Sequence, residues 1–327
     1  VTRRIGLALV TIAVAAAGTA PFIAPHAVGE HFDGLLNAPP TIPRLIDADG
    51  SWHAPFIHRW NRVSQLEQRY AEDRSVRVPL LWLSHGRLVR SANEVDAPLL
   101  LLGADSYGRD VFARLVFGAR ISLGLAATAA LGGMLIGASI GGLAGYYGGP
   151  LDEVLMRAAD FVMVLPAMYV SLALRSVLPL VLGAPDVFVL LAAIFAIVGA
   201  PSIARGVRAI VRSERRLEYA AAAQALGASD MRLLALHLLP AARGFLAVQI
   251  TLLVPAFIVA EATLSYVGLG FPDEVASWGT MLHDASTNIR VFADFPWLLS
   301  PAAAMFLVVL GLNLVLQEGK NLGSVRL

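Results

Sequence analysis

The chain has 327 residues, 57% of them hydrophobic and only 15% charged, with a formal net charge of +1. Soluble domains run at about half apolar and about a quarter charged, so this composition excludes an ordinary soluble protein, and the near-neutral charge gives no reason to expect a nucleic-acid partner. Cysteine is absent, which excludes disulfide frameworks and thiolate-bound zinc.

A spanning helix needs roughly 20 apolar residues, and six stretches of the chain read as spans. The first, residues 5–24, is uncharged and follows Arg3 and Arg4. It is longer than the roughly 7–15 apolar residues of a signal peptide, so residues 1–24 are expected to form an uncleaved anchor. Residues 25–118 make up the one large polar region, expected to be an extracytoplasmic insertion. Its first part is rich in turn formers (Pro25, Pro39, Pro40, Pro43, Asp49-Gly50). Residues 61–77 predict a charged surface helix with Val63, Leu66 and Tyr70 at helical spacing, while residues 79–83 and 98–102 read as extended.

The core, residues 119–317, holds the other five spans: 121–145, 161–174, 187–204, 244–269 and 295–317. The second span carries Gly133, Gly137, Gly141 and Gly145, four residues apart, which puts them on one helix face. Such faces let helices approach closely in lipid. Static packing is the preferred reading, and a sliding surface for alternating access the second. Arg157 and Asp160 sit at the inner end of the third span. Charges at that depth tend to pair, with each other or with Asp152 or Glu153, and a gating role is the second reading. Arg175 is expected to snorkel to the outer interface.

Between the fourth and fifth spans lies an arginine-rich loop, residues 205–243. Its arginines (205, 208, 212, 215, 216, 232 and 243) place it in the cytoplasm, and with Arg3 and Arg4 they put both termini inside. Residues 213–226 are dense in helix formers. Gly227 can take the left-handed conformation that closes a helix, Ser229 or Asp230 can cap a second one, and Pro240 suits the first turn of the next span. Helix, sharp turn, helix is expected, offered to a soluble partner; an interfacial linker helix is the plainer alternative.

Glu261 is an acid inside an otherwise apolar span. Such a carboxylate is a functional candidate by default, either facing a translocation path or bonding a neighbouring helix. The single lysine, Lys320, is followed by asparagine in a tail at residues 318–327. A P-loop needs Gly-Lys-Ser/Thr, so the chain holds no such ATP site. None of the seven histidines falls at a paired metal spacing, and no catalytic residue, metal or cofactor is expected.

The loop ending, Gly227 followed by His237, Leu239 and Pro240, resembles the coupling loop of ABC-importer permeases. Three further stretches resemble the peptide- and nickel-type members. These are residues 102–122, residues 145–149 with Asp152, Arg157, Asp160 and Pro166, and residues 260–270 with Ser277-Trp278-Gly279. The resemblance covers residue 102 to the C-terminus and is most like the second, C-type permease. One departure stands out: where the family loop has Glu-Ala-Ala, this chain has Ala221-Ala222, and the nearest acid is Glu218. His237 is read as packing at the membrane surface.

The resemblance implies an all-α polytopic protein of the bacterial inner membrane. It forms half of the path for peptides or similar small solutes. It pairs with a second permease, with two cytoplasmic ATP-binding subunits that carry the hydrolysis, and with an extracytoplasmic solute-binding protein. The alternatives are an ion-coupled secondary transporter using acids such as Asp160 and Glu261, and a membrane scaffold or signalling protein working through its outer insertion. Inverted repeats with broken helices would support the former, and the sequence has none.

Overall fold

The computed structural model describes residues 2–47, 50–164, 169–170, 172–173, 183–287 and 290–323. In chain order the elements begin with α1 (Thr2–Gly18), α2 (Ala20–Ile23), β1 (Arg44–Ile46), β2 (Trp52–Ser64), β3 (Arg69–Ser84) and β4 (Arg87–Ser91). The helices α3 (Val111–Tyr147), α4 (Gly149–Val164), α5 (Ala184–Glu214), α6 (Glu218–Ala225) and α7 (Asp230–Leu233) follow. A π turn (Leu234–Leu238) and a 3-10 turn (Leu239–Ala242) lead into α8 (Arg243–Tyr266), and α9 (Trp278–Ser286) and α10 (Ser300–Gly323) complete the chain.

Among the described residues four helical stretches are long and apolar enough to cross a membrane: Val111–Tyr147, Ala184–Glu214, Asp230–Tyr266 and Pro296–Val315. They coincide with the second, fourth, fifth and sixth expected spans. α1 has 17 residues. Of the third expected span, residues 161–164 close α4 and most of the rest lies outside the described residues, as do Asp49, Pro166, Arg175 and Arg326.

The chain divides into two packed units. The first comprises Val1–Gly6, Leu123–Leu264 and Val309–Leu327. Its centre is the seam between α3 and α5. A Cβ added at Gly133 would lie 3.1 Å from the carbonyl oxygen of Ala196, at Gly137 2.6 Å from that of Ala200, and at Gly145 2.7 Å from that of Arg208. One at Gly141 would collide with the carbonyl of Ala204. Four glycines four residues apart therefore meet four carbonyls four residues apart, and the backbones touch where any side chain would hold them off. Dispersion contact of this kind drives helix association where water does not. Further along α5, the rings of Phe195 and Phe257 stack 5.3 Å apart.

The second unit comprises Leu7–Ser122 and Ser265–Val308. It corrects the all-α expectation. The fold is mostly helical, but β1 to β4 form a four-stranded antiparallel meander in sequence order. The helix expected over residues 61–77 is the β2–β3 hairpin, with Arg62 opposite Tyr70 and Phe56 opposite Pro79. The helical spacing misled because it buries nothing: Val63 and Leu66 are exposed. Only Tyr70 packs inward, its hydroxyl donating to the Leu36 carbonyl at 2.6 Å. The charged residues instead find partners across strands, Arg59 of β2 lying 3.8 Å from Asp73 directly opposite on β3 and Arg44 of β1 reaching Glu72 of β3 at 2.7 Å. Such cross-strand pairs stabilise a sheet and have no counterpart at helical spacing. Ile57, Val78, Leu80, Val89 and Leu99 form the apolar core beneath the sheet. Residues 79–83 belong to β3, as expected, whereas residues 98–102 form no strand.

Candidate functional site

The loop after α5 is built on a closed local geometry. α5 ends at Glu214, a short turn follows, and Leu217 in extended conformation starts α6. α6 terminates at Gly227, whose φ is +84°. The Gly227 amide donates to the Gln224 carbonyl at 2.9 Å and the Ala228 amide to the Ala223 carbonyl at 3.1 Å. These are the two bonds that satisfy orphan carbonyls when a helix ends on a left-handed residue. Ser229 takes the extended conformation of an N-cap, though its side chain makes no capping bond. α7 then runs through the π turn and the 3-10 turn, which carries Pro240 at its start, directly into α8.

One face of this loop is buried and the other is not. Ala220, Leu233, Leu234, Leu238 and Ala242 join Ile203, Val207 and Val211 of α5 and Tyr146 of α3 in one apolar core. Burying these side chains contributes about 1.5–3 kcal/mol for each large one. On the outer face Leu217, Tyr219, Ala221, Ala222, Leu226 and Met231 are exposed, Leu226 by 89%. A small apolar tip between two short helices is the shape that fits a groove on another protein. Glu218 lies in the first turn of α6 and is exposed. His237 is exposed in the π turn, and Leu239 is half-buried.

Polar contacts hold the loop to the helices behind it. The Tyr219 hydroxyl donates to Glu214 at 2.7 Å. Partial desolvation of the hydroxyl and that carboxylate push the tyrosine up to about 12, so it stays protonated at physiological pH. The Tyr146 hydroxyl donates to Asp230 at 2.6 Å, which occupies the carboxylate that could otherwise have capped α7.

The other sequence candidates fall elsewhere in the same unit. Arg157 pairs with Glu153 at 2.5 Å, one turn back, rather than with Asp160. Asp160 pairs with Arg205, and Asp152 with Arg208, so α4 is tied to α5 at two levels. The Arg157 and Asp160 pairs are largely exposed, and pairs of that kind contribute only about 0–1 kcal/mol. Glu261 is buried in α8. Among the described residues no three histidine or acidic side chains gather as a metal site.

The second unit contains a charged cluster to which the sequence assigned no role. Asp105 accepts from the Tyr107 and Arg109 amides at 2.9 Å and from Arg109 Nε at 2.7 Å. Arg109 also reaches Asp284 of α9 at 2.6 Å, and Arg114 lies 3.5 Å from the same carboxylate. All four side chains are buried. Beside them Asp110 caps the start of α3 by accepting from the Phe112 amide at 2.9 Å, and its other oxygen meets His26 at 2.9 Å. The density of charge in residues 105–114 was the available signal; Asp284, 175 residues from Arg109, gave none.

Comparison with known proteins bears on the same stretches. Residues 115–317 match the family described as binding-protein-dependent transport system inner membrane component. The oligopeptide transport system permease protein OppC of Bacillus subtilis is 41% identical over 214 residues, 65% of this chain and 67% of that protein. The glutathione transport system permease protein GsiD of Pectobacterium atrosepticum is 34% identical over 223 residues, 68% of this chain and 71% of that one. The dipeptide transport system permease protein DppC of Alkalihalophilus pseudofirmus is 35% identical over 240 residues, 72% and 76% of the two chains. With the family match spanning more than half the chain and including the loop and the glycine seam, this protein belongs to the binding-protein-dependent transport system inner membrane components.

Proposed function

We propose that this chain is one of two permease subunits of an ABC importer for peptides or similar small solutes. Residues 218–240 are its contact with a cytoplasmic ATP-binding subunit. The observation that carries the reading is the loop itself. Two short helices meet at Gly227 with φ +84°, their inner face sealed to α3 and α5 and their apolar tip at Leu226 exposed. The relatives' substrates, oligopeptides, dipeptides and glutathione by their names, support the solute class.

The finer organisation follows from the same reading. Six spans carry the chain across the inner membrane, both termini lie inside, and residues 25–118 lie outside. A second permease completes the path, two ATP-binding subunits hydrolyse the nucleotide, and a solute-binding protein delivers cargo. The mechanism is mechanical. Nucleotide-driven closure of the ATP-binding pair moves the loop, and the loop moves the spans. A change of state of this kind needs contacts that differ between the two ATPase states, and the exposed tip supplies a surface on which they can differ. Alanine at position 221 leaves that contact apolar, with Glu218 as the flanking acid. Glu261, Asp160 and Arg157 are the candidate path or gating residues.

The absence of cysteine makes the test direct. Leu226→Cys, modified with a benzophenone maleimide and irradiated in the assembled transporter, is expected to give an adduct of this chain with the ATP-binding subunit. An adduct only with lipid, or only within this chain, would return the loop to the interfacial-linker reading.

A further inference from the structure

Tyr146 stands at the end of α3, where three segments of the loop meet it. It is 2% exposed. Its hydroxyl donates to Asp230 of α7 at 2.6 Å, and Gln224 of α6 donates to that same hydroxyl at 3.4 Å. The guanidinium of Arg215, in the turn between α5 and α6, lies 4.6 Å from the centre of the Tyr146 ring and donates to its backbone carbonyl. One residue of α3 therefore meets the turn before α6, α6 itself and α7. Its partners lie 69, 78 and 84 residues away in sequence.

α3 also carries the glycine seam against α5. Gly145, the residue before Tyr146, sits against the Arg208 carbonyl of α5. With no side chain between them, α3 and α5 cannot separate or slide without losing contact along the seam. A rigid element pinned at one end to a moving loop transmits that movement along its length. The phenol is the part of the pin that reaches both loop helices at once.

We propose that Tyr146 is a positioning residue for coupling. Its hydroxyl, bridging Gln224 and Asp230, ties the α6–α7 pair to α3, so that movement of the loop becomes movement of the spanning helix. The proposal rests on the reading of residues 218–240 as the ATPase contact. The hydroxyl acts through the loop and touches no solute or nucleotide.

Tyr146→Phe removes the bridge and keeps the ring, and with it the apolar core and the Arg215 contact. The background is the assembled transporter carrying an environment-sensitive bimane on Leu135→Cys, an exposed position in the middle of α3. Trapping with ATP and vanadate is expected to shift the bimane emission in the unsubstituted background. In Tyr146→Phe most of the shift should be lost, while assembly, ATP hydrolysis and the Leu226→Cys adduct persist. Asp230→Ala removes the stronger of the two bonds and should give a comparable loss, and the double variant no more than Tyr146→Phe alone, because the Tyr146–Asp230 bond is lost in each.

A full shift in Tyr146→Phe, or losses that add in the double variant, would overturn the inference. So would a parallel loss of assembly and signal, which marks mere structural support. Absence of a shift in the unsubstituted background would show that α3 does not follow the nucleotide state. Loss of the Leu226→Cys adduct in that background would instead remove the reading on which the proposal stands. An adduct present with an undiminished shift in Tyr146→Phe would leave the reading intact and reject Tyr146 alone.

Discussion

Gly227 joins α6 to α7 with a backbone that other residues adopt at a cost. A left-handed residue with a Cβ is disfavoured by about 1 kcal/mol, and a β-branched one at positive φ is an outlier. Among the described residues nothing lies within 4 Å of the place a Cβ would take at Gly227. The penalty is therefore backbone strain and not collision, and it falls on the angle between the two helices. Gly227→Val is expected to insert into the membrane normally, because the seam between α3 and α5 is untouched, and to retain much less ATP-binding subunit on affinity purification. Gly227→Ala should fall between it and the unsubstituted chain. A normal ratio of ATP-binding subunit to permease in Gly227→Val would count against the docking role. Helix closure is a local matter of residue type and spacing, which is why the left-handed turn at Gly227 could be read from sequence, while the choice of Ser229 or Asp230 as cap could not. Tyr146 could not, because its meaning lies in residues 69 to 84 positions distant.

At the scale of elements the same contrast holds. The four-residue glycine interval in α3 defines a face without knowledge of the partner, whereas the α5 carbonyls it meets are visible only in three dimensions. The sheet was hidden for a related reason. Residues 61–77 alternate charge too densely to show a period-two pattern, and the ion pairs that make the alternation useful join strands, Arg44 to Glu72 being 28 residues apart. The buried cluster of Asp105, Arg109, Arg114 and Asp284 is more remote still. The glycine seam yields a controlled prediction. A methyl at Gly137 would sit 2.6 Å from the Ala200 carbonyl and 2.7 Å from Ile203 Cβ, while one at Gly244 of α8 meets open space among the described residues. Overpacking of this kind costs about 1–3 kcal/mol. Gly137→Ala should therefore lower the thermal midpoint of the detergent-purified complex, and Gly244→Ala should leave it unchanged or slightly raised. Equal midpoints for the two variants would mean that α3 and α5 do not depend on backbone contact.

For the whole molecule the topology turns on how many times the chain crosses between the sheet and the loop. α3 and α5 are both long and apolar enough to span. If they were the only crossings in this interval, Leu66 and Leu226 would lie on the same side. The proposed topology adds a crossing near residues 161–174. As a helix those residues cover about 21 Å at 1.5 Å per residue, short of the roughly 30 Å hydrocarbon thickness. The arginines at 205, 208, 212, 215 and 216 favour the cytoplasm for the loop, which demands this odd count if the insertion is outside. Leu66 and Leu226 are 95% and 89% exposed and offer reactive positions in a chain free of cysteine. In intact spheroplasts Leu66→Cys is expected to react with a membrane-impermeant maleimide, and Leu226→Cys only after permeabilisation. Labelling of both in intact spheroplasts would leave two crossings between them and remove the third span from the topology. Labelling of Leu226→Cys alone would invert the orientation and with it the docking of the loop to any cytoplasmic ATPase.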